Sequence, residues 1–266
     1  MARAVKKLRS HLVIPDVQTK EGVGTKHLKH VGKYLVDKKP DVVICLGDFA
    51  DMPSLSSYDR GTKGFEGRRY WKDIAAAKKA MDILLNPLRE YNELCSKQKV
   101  KQYHPEMHMI LGNHEYRIVR AVNNDAILED TIGTKDLGYE EAGWIVHEFL
   151  ETVDIDGILY CHFFPRSANG RVLQNRRGAP TASTQVKREM QSCTSGHLQG
   201  LDFNIYQTGQ RRLYGIIAGS CYTHDEEYLS PQGTAYWRGI IMKHEVRNGQ
   251  YDPMFVSLDY LQRRYG

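Results

Sequence analysis

Short apolar runs alternate with longer stretches of helical periodicity over the first 120 residues. Leu12–Ile14 is a compact apolar run that predicts a strand, followed by Pro15-Asp16-Val17-Gln18 and a turn carrying Gly22 and Gly24. From Thr25 onward, Leu28, Val31 and Leu35 recur at the spacing of one helix face, and Pro40 stops the segment. Asp41–Leu46 predicts a buried strand that runs into Gly47-Asp48. A stripe of Ile74, Ala77, Met81, Leu84 and Leu88 predicts a long helix from about Tyr70 to Cys95, kinked at Pro87. Met107–Leu111 predicts a third strand, ending in Gly112-Asn113-His114-Glu115. Strand, crossover helix and strand in alternation imply a mostly parallel sheet.

After about residue 144 the pattern changes to strands and hairpins. Trp144–Phe149, Gly157–Phe164, Leu201–Tyr206 and Leu213–Ala218 all predict strands. Tyr236–Val246 is expected to meet Met254–Leu258 across Asn248-Gly249, a strong hairpin-turn pair. No repeat, low-complexity tract or linker breaks the chain. The expectation is one α/β domain over residues 1–266, with two packed sheets and helices outside.

The composition, 41% hydrophobic and 26% charged, is that of a globular chain and argues against disorder. No apolar run approaches the ~18 residues of a membrane helix. The basic stretch Met1–Ser10 leads straight into strand-like residues rather than a signal-peptide core, so a cytoplasmic location is expected. Five cysteines lie far apart without a CxxC pair, which predicts buried free thiols rather than disulfides or a zinc ribbon. A net charge of +5 leans mildly toward a polyanionic partner.

Polar clusters fall at or near the predicted strand ends, where open α/β sheets carry their ligand sites. They are Asp16-Val17-Gln18, Gly47-Asp48-Phe49-Ala50-Asp51, Gly112-Asn113-His114-Glu115, Cys161-His162 and Ser195-Gly196-His197-Leu198-Gln199. Each alone is as compatible with a solvated turn or a satisfied core histidine as with a site. Together they supply carboxylates, amides and imidazoles, a donor set suited to two divalent metals and hydrolysis.

In that order the clusters resemble the signature of the calcineurin-like metallophosphoesterase family, with Leu-Gly-Asn-His-Glu after a strand the most specific piece. The match runs from Asp16 to Gln199, and the polar stretches Met52–Tyr58 and Glu66–Tyr70 look like those of phage-encoded members. The resemblance implies a layered α/β/β/α sandwich of two mixed sheets, the hairpin-rich C-terminus resembling the second. It implies that Asp48 bridges two metal ions, that Asn113, His162 and His197 complete one site, and that Asp16 serves the other. His114 is implied as general acid, with Asp51 orienting its ring, while a metal-activated hydroxide attacks phosphorus.

Two positions depart from the family pattern. Gln18 and Gln199 stand where histidines are usual, both on one metal site. An amide oxygen is a weaker, harder donor than imidazole, so manganese is expected ahead of magnesium, zinc or iron unless that site is weak or lost. Met52 and Leu111 replace the arginines with which family phosphoprotein phosphatases clamp a dianionic monoester. That favours a phosphodiesterase or nuclease acting on nucleic acid or nucleotides over a phosphomonoesterase. A metal-poor module of the same fold that binds nucleic acid or protein is the competitor of a different class.

Arg166, Arg171, Arg176, Arg177, Lys187 and Arg188 lie between His162 and His197, and could hold a phosphate backbone. Arg68-Arg69-Tyr70-Trp71-Lys72 could stack on bases, although Tyr70 and Trp71 are better expected to begin the apolar face of the long helix. His27 and His30 are expected on a solvated helix face, and His104 and His108 are not expected to share a metal. His224 is the one outlying histidine that could replace a ligand, and Cys161 sits in too apolar a run to be an activated nucleophile.

Overall fold

The structure, a computed structural model, describes residues 8–165, 180–225 and 235–266. Over these residues the chain is a mixed α/β structure with a six-stranded and a five-stranded sheet and five α-helices. In the first sheet β1 (Arg9–Ile14), β2 (Val42–Cys45), β3 (Glu106–Ile110) and β4 (Ile145–His147) run parallel as neighbours. Parallel neighbours need crossovers. These are α1 (Lys26–Lys38) between β1 and β2, α2 (Tyr70–Lys97) between β2 and β3, and a path through α3 (Tyr116–Asn124) to β4.

α1 stops where Pro40 requires: Lys39 turns left-handed and its N–H donates to the Leu35 carbonyl. α2 runs unbroken through Pro87, whose ring packs against α1. The two helices touch at Gly32, where an added Cβ would lie 2.2 Å from the Leu84 carbonyl oxygen.

The second sheet contains β5 (Val153–Ile155), β6 (Ile158–Cys161), β7 (Ser192–Ser195), β8 (Leu201–Gln207) and β9 (Arg212–Ala218). Its order is β5-β6-β7-β9-β8, with β6, β7 and β9 parallel and the two edge strands antiparallel. The helix α4 (Ala182–Glu189) packs against β7, β8 and β9.

Strand alternation explains the layers, because successive side chains face opposite ways. Leu12 and Ile14 of β1 and Val43 and Cys45 of β2 pack with Leu28, Val31, Leu35, Leu84 and Leu88 of the helices. Val13, Val42 and Ile44 point the other way, into a core shared with Tyr160, Tyr214 and Ile216 of the second sheet. A third cluster, Cys161, Cys193, Leu213 and Val186, lies under α4. Strands buried on both faces read as continuous apolar runs, which is why β1 and β2 stand out in the sequence.

The C-terminal hairpin of β10 (Gly239–Arg247) and β11 (Gln250–Ser257) belongs to the first sheet, not the second. β10 pairs antiparallel with β1, completing the side of that strand which β2 leaves unpaired. β11 also begins at Gln250, four residues before the expected Met254, and includes Pro253. A proline is accommodated there because β11 is the sheet edge. α5 (Leu258–Tyr265) follows directly, capped by Ser257, and packs on α1. Among the described residues all five cysteines are buried free thiols, and no helix is long and apolar enough to cross a membrane.

One polar chain crosses the inter-sheet core. Lys243 Nζ, fully buried, donates to Thr194 Oγ1 at 2.6 Å and Tyr160 Oη at 3.1 Å. His11 links Tyr160 to Asp156, at 2.8 and 3.1 Å.

Candidate metal centre

The C-terminal ends of the parallel strands of both sheets meet at one rim of the molecule. Asp16 follows β1, Asp48 follows β2, and Asn113 and His114 follow β3; His162 follows β6 and His197 follows β7. The loops are tied to each other through the backbone. Val17 and Gln18 N–H donate to the Asp48 carbonyl, Cys221 N–H donates to the Asp16 carbonyl at 2.7 Å, and His197 N–H donates to Asp16 Oδ1 at 2.9 Å.

Asp48, His162 and His197 each place one donor atom within 4.8 Å of the others. His162 Nδ1–H donates to the Leu46 carbonyl at 2.7 Å, which fixes the ring and turns Nε2 toward the cluster. Nε2 stands 2.9 Å from Asn113 Oδ1 and 3.4 Å from Asp48 Oδ2. Burial opposes a charge on His162, but Asp48 outweighs it and pushes the ring pKa up to about 9. Burial alone would raise Asp48 as well, yet the surrounding imidazoles hold it well below the usual carboxylate range. Burial and the neighbouring Asp48 push Asp16 up to about 7. Its Oδ2 is buried and has no hydrogen-bond partner among the described residues.

Backbone geometry here is unusual in a way that brings the loops together. Gln18, Asp48, Met52, His197 and Gln199 all have positive φ, a conformation that costs about 1–3 kcal/mol for a non-glycine residue. Gly112 is required by approach: a Cβ there would lie 2.1 Å from Asp48 Oδ1. Glu115 fastens the β2 and β3 loops from within. Its carboxylate accepts from the N–H groups of Asp48, Ala50 and Gly112 at 2.8–2.9 Å and from Tyr139 Oη at 3.2 Å.

Beside the cluster, His114 Nδ1 lies 2.6 Å from Asp51 Oδ1, while its Nε2 faces Asp48 Oδ2 at 3.8 Å. Burial and Arg117 lower the affinity of His114 for a proton, but Asp48 and Asp51 prevail and raise its pKa. Burial would lift Asp51 too, and its bond to His114 with nearby Lys20 and Arg117 brings it below the ordinary range. Lys20, Arg117, Tyr139 and Tyr222 are site residues that the strand-end motifs did not reveal, whereas Glu115 closes the Gly112-Asn113-His114-Glu115 cluster but its role in fastening the loops was not legible there. Of the others, Arg117 alone left a trace, three residues after His114 at the start of a helix, where the two share a face.

Gln18 and Gln199 are buried on the β1 and β7 loops, and Gln199 Oε1 accepts from Tyr222 Oη at 3.1 Å. Arg166, Arg171, Arg176 and Arg177 lie outside the described residues. Tyr70 is partly buried and bonds Asp136, as a core-facing residue should, but Trp71 is 66% exposed and does not begin an apolar face. His27 is buried rather than solvated, with Nε2 2.9 Å from the Cys221 carbonyl, because α1 turns that position toward the loop after β9. His108 pairs with His147 and Glu106 instead of His104. His224 packs on the Tyr222 ring and is not in the Asp48–His162–His197 cluster. Burial pushes the Cys161 thiol up to about 11, which suits a core residue and not a nucleophile.

No protein-family model and no curated protein matches the chain. Forty-six solved chains do. One of them, described only as a crystal structure, shares 10% identity at a TM-score of 0.40, with 94% of this chain and 100% of that chain covered. A likeness of that degree carries no argument about fold or function.

Proposed function

We propose that this chain is a metal-dependent hydrolase of phosphate esters with the layered fold of the calcineurin-like metallophosphoesterases, acting on a phosphodiester in nucleic acid or a nucleotide. The observation that carries this reading is the convergence of Asp48, His162 and His197 within 4.8 Å, drawn from both sheets, beside the Asp51–His114 pair. Asp48, Asn113, His162 and His197 would hold one divalent ion. Asp16, with Gln18 and Gln199, would hold a second beside Asp48.

The donors fit cations. Two buried carboxylates repel one another here, and one has an oxygen without a hydrogen-bond partner among the described residues, an arrangement that a bound positive charge relieves. Amide oxygens in place of two imidazoles support manganese or magnesium over zinc. Bound ions supply Lewis acidity and offset charge on the phosphate.

The chain's own groups supply the rest. Asp51 accepts from Nδ1–H of His114 and orients the ring, so that Nε2 carries the proton delivered to the leaving oxygen. Glu115 holds Asp48 in place through the Asp48 N–H. Met52 and Leu111, both buried and apolar, support a diester, since a dianionic monoester calls for cations at those positions.

The test is manganese-dependent hydrolysis of bis-p-nitrophenyl phosphate against p-nitrophenyl phosphate, with Asp48→Asn as control. Faster diester cleavage, lost in the variant, is the expected result. Monoester preference would move the substrate class. No turnover of either ester with manganese, magnesium, zinc or iron would remove the enzymatic reading in favour of a binding module.

A further inference from the structure

The His114 edge of the centre holds a guanidinium in a fixed place beside the imidazole. Arg117 lies in the first turn after His114, its backbone N–H bonded to the His114 carbonyl at 3.1 Å. Its Nη1 donates to the Asp51 carbonyl at 2.8 Å and reaches the Met52 carbonyl at 3.4 Å. Both acceptors are neutral, so they fix the guanidinium without offsetting its charge. The Asp51 carboxylate is 3.5 Å away, but Lys20 Nζ already occupies its other oxygen at 2.9 Å. Asp51 thus faces Lys20 and Arg117 as well as His114, while Asp59 also feels Arg117 and Asp48 faces the imidazole.

The position of the guanidinium matters as much as its charge. Arg117 Nη2 stands 3.2 Å from His114 Nε2, and the side chain is 13% exposed. Nε2 is the atom that must meet the leaving oxygen. A donor at that distance from it occupies the space where the phosphoryl group and leaving oxygen arrive. We propose that Arg117, backed by Lys20, is an anion-binding cradle for a phosphoryl oxygen of the scissile phosphate on the leaving-group side. The cradle rests on the hydrolase reading for its role in turnover. Substrate entry exchanges the contact in which Arg117 Nη2–H donates to an unprotonated His114 Nε2 for a charge-assisted Arg117–phosphate contact, the released Nε2 taking from solvent the proton it later delivers, and the planar guanidinium makes the new contact directional. One guanidinium from the start of α3 thus meets one phosphoryl oxygen, in place of the pair of cations that a dianionic monoester calls for at positions 52 and 111.

The experiment uses the manganese-loaded full chain and inorganic phosphate as probe, titrated by calorimetry, alongside KM and kcat for bis-p-nitrophenyl phosphate. Arg117→Met is expected to weaken phosphate binding and raise KM each by about tenfold or more, with bound manganese unchanged and at most a small fall in thermal midpoint from the lost bond to the Asp51 carbonyl. Arg117→Lys keeps the charge but not the fork and should recover only part of that loss; added guanidinium ion should recover part in Arg117→Met. Unchanged phosphate affinity and KM in both variants, with a lower kcat or midpoint, would reduce Arg117 to a brace for the Asp51 turn and overturn the proposal. The hydrolase reading is judged separately, on wild-type turnover. If the wild type cleaves neither ester yet binds phosphate through Arg117, the cradle stands and the catalytic reading falls.

Discussion

In its charged form, His162 holds one proton on the Leu46 carbonyl and a second between Asn113 and Asp48, at 2.7, 2.9 and 3.4 Å. With a folded pKa of about 9 against about 6.5 in an unfolded chain, it binds more protons folded than unfolded between those values. Its contribution is therefore complete below about pH 6.5 and is lost as pH rises through 9. In chelator-treated protein, the stability advantage of wild type over His162→Gln should shrink from about pH 7 to about pH 9.5, read from urea unfolding. A constant advantage would mean that the ring carries no extra proton. His114 calls for a different experiment, since it lies beside the donor cluster rather than in it. His114→Ala should retain manganese and lose about 10²–10⁴ in turnover. The loss should be largest with an alkoxide leaving group and smallest with nitrophenolate, which departs without a proton; an equal loss with both would remove His114 as the acid.

At the scale of elements, two contacts decide whether the rim holds its shape. Glu115 opens α3 and satisfies three backbone N–H groups from the β2 and β3 loops. Glu115→Gln keeps the shape but turns a hydrogen-bond donor toward those N–H groups. The expected cost is about 2–4 kcal/mol in urea unfolding, together with reduced activity, because Asp48 moves with its loop. A neutral substitution would show that the loops are fixed by packing alone. These elements were unequally legible in the sequence. α1, α2 and β1–β3 announce themselves because apolar periodicity, Pro40 and two-sided burial reinforce one another. β5, β7, α3, α4 and α5 are three to nine residues long, too short for a period to repeat. β7 in particular is Ser-Cys-Thr-Ser, buried throughout, and its polar side chains are satisfied only by tertiary partners such as Lys243 and Gln185.

Across the whole molecule, the two sheets are joined by an apolar core that buries the amine of Lys243. Lys243 lies over the rings of Tyr160 and Tyr251, at 4.4 and 4.6 Å, and burial lowers its pKa well below that of a free lysine. The folded chain then binds fewer protons than the unfolded chain, so this lysine makes stability rise with pH toward its ordinary pKa of about 10.5. Lys243→Met should remove that upward slope and be neutral or stabilising near pH 7, provided the methionine fills the same space. An unaltered slope in the variant would assign the pH dependence elsewhere. Nothing at position 243 of the sequence marks this role, since a lone lysine in a strand-like run reads as an outward-facing residue.

The sequence by itself determined the strands and crossovers of the first sheet, the strand-end clusters and the type of chemistry their donors can support. These are local properties: apolar periodicity, turn residues, and ligand atoms carried at fixed short spacings. Only the tertiary structure decided that the C-terminal hairpin joins β1, that Asp16 meets the His197 loop, that Lys20 and Arg117 flank the Asp51 carboxylate beside the proposed acid, and that Glu115 ties the β2 and β3 loops together. Each depends on which distant segments share an edge or a rim. That choice is made by burial of both sheet faces and by satisfaction of backbone hydrogen bonds over long sequence separations, and neither is written in any one segment.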